Sequence, residues 1–294
     1  MNIGVLLSIL SLFTMSVAPV MNKFASTHLS WAWGAALSSL FCFAICFIAQ
    51  PRAMTAVFRG RTLISKSLLL IALTNSAGLL CQYGAVVRLD PPTLSILGRM
   101  YVVFAILLAQ FILKERCTRI EGATFALVFS GAMLFCWNSS LGSDWIGIGL
   151  CLAYCFFFAL THMQVKVETS KTSANAILLA NNFLSSLFLL PLAYKVAGPI
   201  PSTGASAVLL ILGAAFFGQW LGLLLFYESL KRIPLVRANL IRTFSPIAGV
   251  LVSLPFFPLE ITRLQFAGAA VMILALIGQA LAKYYFAQRA LVVA

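Results

Sequence analysis

Charge is scarce in this sequence. Only 9% of its residues are charged, seven of them acidic, while 62% are apolar and the mean hydropathy is +1.01. A soluble domain usually carries about a quarter charged residues. A chain of 294 residues with so little polar surface cannot bury its core and still face water. Catalytic signatures are missing as well: there is no HExxH, no GxGxxG and no Walker loop, and there are only two histidines. Soluble enzyme, disordered regulator and disulfide-stapled secreted domain are excluded, and neither cofactor nor metal is expected. The seven cysteines (Cys42, Cys46, Cys81, Cys117, Cys136, Cys151, Cys155) lie singly or four apart in apolar runs or at their ends. Without His or carboxylate beside them they read as packing or lipid-facing residues.

What is abundant is apolar sequence in pieces of membrane-spanning length. Such a helix needs roughly 20 apolar residues, and ten stretches can be marked: 3–24, 31–49, 67–87, 91–113, 117–137, 145–165, 173–196, 206–230, 234–256 and 261–283. Turn and charge signals separate them, among them Pro51-Arg52, Asp90-Pro91-Pro92, Lys114-Glu115-Arg116 and Gly198-Pro199. The first stretch lacks a basic start, and its one tempting cleavage point, after Ala18, is followed by Pro19; it reads as a retained helix. With the N-terminus placed in the cytoplasm, fourteen Lys and Arg fall on that side and four (Lys23, Arg88, Lys195, Arg263) on the other. Positive charge concentrates on the cytoplasmic side, so both termini are expected there. The net charge of +13 is then a topology signal, and nucleic acid is not an expected partner.

The two halves resemble each other. At a shift of 144 residues Tyr83–Arg88 lies over Tyr227–Arg232, Asn75 over Gln219 and Gly78 over Gly222, and Arg99 meets Arg242 at a shift of 143. Polar matches inside apolar stretches at a near-constant shift mark an internal repeat. Five stretches in each half, an odd number, make the repeat inverted. The expected fold is an all-α integral membrane protein of ten helices in two inverted five-helix repeats, residues 1–138 and 139–294. That architecture places a substrate site near the midplane, between halves that rock to alternate access.

At Ser245-Pro246-Ile247-Ala248-Gly249-Val250, then Leu259-Glu260-Ile261-Thr262 and Phe266–Ala270, the sequence resembles the EamA-type, ten-span branch of the drug/metabolite transporter superfamily. The first half departs from the pattern, with Val102-Val103 standing where Pro246 has its match. The resemblance implies a carrier in the inner or plasma membrane, often an exporter of amino acids or other metabolites.

Arg99 and Arg242 are the most informative positions. Each lies eight residues into its stretch, after Pro91 and Pro234, or about 12 Å from the nearer surface at 1.5 Å per residue. A cation at that depth costs at least about 2.5–3.5 kcal/mol if it faces lipid. The two arginines are therefore expected to face a cavity and hold an anionic group, since a guanidinium forks onto carboxylate or phosphate. The seven acids all lie in connections or at stretch ends. Structural neutralisation by backbone carbonyls is the alternative. Basic residues in spans four and nine also hold phosphate in the related plastid phosphate translocators, which is what the resemblance implies for these two.

Further polar groups are candidates to line the path or to bond neighbouring helices: Asn75, Gln82, Ser95, Asn181, Asn182, Gln219, Asn239 and Ser245, with Trp220 and Tyr101. Pro19 and Pro246 are candidate hinges, and His162 is a candidate proton carrier or a packed residue. Gly218 and Gly222 form a GxxxG, expected to pack within the bundle. The expected partners are the bilayer and a small anionic or zwitterionic solute, handled by a monomer or homodimer. Export of bulkier or cationic compounds is the second reading. A membrane enzyme or non-transporting subunit is the third, and clustered His, Asp or Glu at the interface would mark an enzyme.

Overall fold

A computed structural model describes residues 3–49, 65–112, 119–136, 144–168, 174–200, 205–222, 244–257 and 262–293, with a few single residues between 223 and 243. The regular elements among them are all helical: α1 Ile3–Ala25, α2 Trp31–Ala49, α3 Lys66–Arg88, α4 Pro91–Leu97, α5 Met100–Ile112, α6 Arg119–Cys136, α7 Trp145–Glu168, α8 Ala174–Ala197, α9 Ala205–Ala214, α10 Ser245–Ser253 and α11 Arg263–Val293. Five of these helices are long and apolar enough to cross a membrane, and three shorter apolar segments (Gly122–Phe135, Ala205–Leu221, Arg263–Gln279) accompany them.

Helix starts follow capping chemistry. The Ser65 hydroxyl accepts from Leu68 N–H at the start of α3, and Asp144 Oδ1 accepts from Gly147 N–H at the start of α7. Thr262 and Gln265 exchange two bonds at the start of α11, a capping box. Asp90 precedes α4, whose first two residues are Pro91 and Pro92, tolerated where helix N–H groups have no partner anyway.

Three boundaries differ from the sequence reading. The stretch 91–113 is two helices, α4 and α5, broken at Gly98-Arg99. After Ala214 the eighth stretch widens into a π-helical segment, Ala215–Leu221. The tenth continues to Val293 rather than stopping at Lys283, because no breaker interrupts the residues beyond it.

The surface is inverted relative to a protein in water. Leu70, Leu73, Phe129, Met133, Leu209 and Leu274 lie exposed, while Ser11, Ser38, Ser39, Thr74, Ser185, Ser186 and Gln279 are buried between helices. Apolar side chains outside and hydroxyls within suit a bilayer, where polar groups bond across helix seams.

The helices pair in a repeating way. α3 packs along α7, and α1 packs along α9 and its π segment; α2 runs against α8, α6 against α11, and α4 crosses α10. Each half lays its first helix on the third helix of the other, with second on second and last on last. A methyl group on Gly78 would collide with Phe158 of α7, and one on Gly222 with Met15 of α1. These repeat-matched glycines each admit a side chain from the first helix of the other half.

Candidate functional site

The break between α4 and α5 is built by α7. Arg99 N–H reaches back to the Ile96 carbonyl at 3.0 Å and Tyr101 N–H to Gly98 at 3.2 Å, which tightens the turn. From α7, the Tyr154 hydroxyl lies 3.4 Å from the Leu94 carbonyl, and Cys155 Sγ lies 3.9 and 3.5 Å from the carbonyls of Leu97 and Gly98. These contacts meet the need of backbone carbonyls loosened in an apolar surrounding. A Cβ on residue 98 would stand 2.7 Å from both the Leu94 carbonyl oxygen and the Tyr154 hydroxyl, so the close approach needs Gly98.

Arg99 leaves this break half-buried. Its Nε is buried and has no hydrogen-bond partner among the described residues. Among the described residues, the groups that interact with it electrostatically are Tyr154, Cys155 and Tyr101, none of them a carboxylate. Among the described residues the ion pairs are Lys23–Asp90 and Arg88–Asp144, and neither involves Arg99. Beside it, the Tyr101 hydroxyl lies 2.8 Å from His162 Nδ1 with the rings edge to face. Ser95, one turn before Arg99, presses on α10, where a Cβ on Gly249 would overlap its side chain.

The second group of candidates forms inter-helix bonds. Asn75 Nδ2 donates to Ser185 Oγ of α8 at 3.2 Å, and Ser185 lies 3.4 Å from Asn181 Oδ1. Asn182 turns back on its own helix and donates to the Leu178 carbonyl. Gln219, in the π segment, donates to Ser38 of α2. Tyr83 bonds the same serine and also donates to Asn22 of α1. Trp220 stacks on Phe216 and packs against the cluster shared by α2, α3 and α8. Gln82 is half-buried on α3.

Pro19 lies inside a continuous α1, and Pro246 is the second residue of α10. Gly218 and Gly222 face Ala18 and Met15 of α1. Ser245 opens α10 half-buried. Asn239 and Arg242 lie outside the described residues, as does the side chain of Pro246. The structure thus brings Arg99, Tyr101 and Ser95 to one helix break and joins Asn75 to Asn181 through Ser185. It sets Gln219 and Trp220 against α2. Tyr154, Ser185 and Ser38 were not singled out from sequence, and Cys155 was read only as a packing or lipid-facing residue; a hydroxyl or thiol in an apolar run carries no signal until its partner helix is known.

Two stretches, residues 2–137 and 145–280, match the model of the EamA-like transporter family. The chain belongs to the EamA-like transporter family. It is therefore a multi-pass integral membrane protein of a transporter family, with the family unit present twice. A crystal structure of a protein 12% identical in sequence matches with a TM-score of 0.65, covering 97% of this chain and 98% of the other, which shows a shared fold. No curated protein matches the sequence.

Proposed function

We propose that this EamA-family chain is a secondary carrier, an exporter or exchanger, for a small organic metabolite bearing a carboxylate or phosphate, such as an amino acid or a derivative. On this reading ten helices form two inverted repeats, 1–138 and 139–294, in the inner or plasma membrane with both termini cytoplasmic. The halves rock about the seams where first helix meets third.

The observation that carries the substrate class is Arg99. A guanidinium whose Nε is buried without a hydrogen-bond partner among the described residues, with phenols and a thiol rather than a carboxylate as its described neighbours, is unfavourable until an anion arrives. A carboxylate or phosphate can take two of its N–H groups at once. Arg242, its repeat mate, is assigned the second contact. The pressing of Ser95 on Gly249 supports a crossing of the fourth and ninth spans between them. Asn75 and Gln219 hold the walls of the path, and Pro246 serves as the hinge of the ninth span.

The test is uptake into proteoliposomes across labelled amino acids, carboxylates, phosphate esters and organic cations, with Arg99→Gln and Arg242→Gln alongside. Movement of an anionic or zwitterionic solute, lost in both folded variants, supports the reading. Transport confined to cations, or unchanged in the variants, overturns it in favour of an exporter of bulkier or cationic compounds.

A further inference from the structure

Tyr101 follows Arg99 by two residues and is one of its electrostatic neighbours. Its hydroxyl oxygen lies 2.8 Å from His162 Nδ1, and the ring centroids are 5.5 Å apart at 73°. His162 is exposed on α7 within two turns of the helix end at Glu168, near the end of the span rather than at its middle. A neutral imidazole protonated on Nε2 accepts at Nδ1, so the phenol must donate. A protonated imidazole donates from both nitrogens. Nδ1–H then points at the phenol oxygen, and the phenol hydrogen must turn to another acceptor.

We propose that His162 is the proton-binding group of this carrier, coupled to an anion on Arg99 through Tyr101. Resting on the reading that Arg99 holds the anion, it adds the coupling ion. A proton taken from water onto His162 reverses the bond to Tyr101, and the released phenol O–H donates to an oxygen of the anion at Arg99. No covalent bond forms besides the N–H, and the solute and one proton bind together. Histidine is suited to the task because its ordinary titration range lies near neutrality.

The titratable surroundings are few. Tyr101 is the titratable residue of α5, and α4 has none. Arg99 stands at the break between them. On α7, Tyr154 and Cys155 lie two turns back, and Lys166 follows one turn on. The side of α7 facing α3 holds Glu168, which accepts from Ser67 Oγ at 2.6 Å next to Lys66; α3 also carries Cys81, Tyr83 and Arg88, α7 carries Cys151 three turns back, and α6, packed against α5, carries Arg119 and Glu121.

Coupling between two binding events is reciprocal, so the anion must draw protons onto His162. With two histidines in the chain, nitrogen-labelled histidine gives two pairs of imidazole signals, and His162→Gln identifies one pair. The whole chain in detergent is titrated with inorganic phosphate, succinate and glutamate as probes, and their binding is followed separately by equilibrium dialysis. At neutral pH a bound probe is expected to raise the proton-binding constant of His162 by about fivefold or more. The rise should vanish in Arg99→Gln and in Tyr101→Phe, each checked for an intact melting transition. A probe that binds, and is lost in Arg99→Gln, while the His162 signal stays still overturns the coupling and leaves the anion reading standing. A full response in Tyr101→Phe overturns the route through the phenol. Failure of every probe to bind overturns the anion reading, and this one with it.

Discussion

Asn75 and Gln219 form the same bond from opposite halves of the chain. Each sits on the third helix of its half, and each donates its amide hydrogen to a serine on the second helix of the other half, Ser185 and Ser38 respectively. Three residues further on, Gly78 and Gly222 receive Phe158 and Met15 from the first helix of the other half. An amide followed one turn later by a glycine is thus the seam-forming unit of both halves, with the amide fixing register and the glycine allowing close approach. On the proposed carrier reading, such seams are where the two halves would slide in alternating access.

Removing one of these amide bonds is expected to cost little. Interhelical hydrogen bonds in membranes average about 0.6 kcal/mol and reach about 1.7 kcal/mol, because side chains find other partners when helices separate. Asn75→Ala should lower stability within that range. Asn75→Ala with Ser185→Ala should be no worse than either single change, read as melting in detergent. Fully additive losses would mean that the two side chains do not act through their mutual bond.

Crowding the contact between α6 and α11 should be far more damaging. A Cβ on Gly131 would lie 2.7 Å from the Gly268 carbonyl oxygen, and one on Gly268 would lie 2.6 Å from that of Gly131. Both obstacles are backbone and cannot rotate away. Gly131→Ala and Gly268→Ala are expected to reach or exceed the roughly 1–3 kcal/mol of ordinary overpacking and to sharply reduce the yield of folded protein. Gly149→Ala, where nothing lies within 4 Å, is the matched control and should express normally. Equal yields from all three would show that the α6–α11 contact has room to spare.

Apolar length and repeat spacing made most helices legible, since helix length in a bilayer is set by the thickness of the hydrocarbon. The matches of Asn75 with Gln219 and Gly78 with Gly222 were visible as spacing, and their structural meaning came from the helix each one faces. The break at Gly98-Arg99 was hidden because nothing in the run from Pro91 to Ile112 opposes a continuous helix except one glycine. What fixes the break is Tyr154 and Cys155, more than fifty residues away. Glu168 could be read only as a stretch-end acid, yet it is buried on Ser67. Side-chain burial at a helix end depends on the neighbouring helix, which periodicity does not report.

The end of α3 is tied to the start of α7 by a bond that acid should weaken. The Gly147 N–H, with Arg88 beside it, holds the Asp144 carboxyl below the usual aspartate range. A carboxyl lowered in the folded state stabilises fully above its unfolded value, about 3.9, and loses that effect as pH falls through the folded value. Wild type is therefore expected to melt above Asp144→Ala by a constant margin down to about pH 4, with the margin shrinking in stronger acid. Melting curves of both proteins across that range decide it, and a margin indifferent to pH would place the effect of Asp144 elsewhere.

Arg99→Lys separates charge from shape at the proposed anion site. Lysine keeps the positive charge but lacks the planar fork that meets two oxygens of a carboxylate or phosphate. Hydrogen bonds to charged groups contribute about 1.5–3 kcal/mol, so losing one of a pair should weaken apparent affinity by about tenfold or more. Maximal transport should change less, because the cavity still carries its cation. Arg99→Gln removes both features and should abolish uptake. The break itself is held by Gly98, Tyr154 and Cys155, so neither substitution is expected to lower the melting temperature much, and transport with melting on the same samples distinguishes the two roles. If lysine and glutamine variants both melt far below wild type, the guanidinium is a structural part of the helix break. If lysine alone preserves wild-type affinity, charge suffices, and the forked contact proposed for the substrate is wrong.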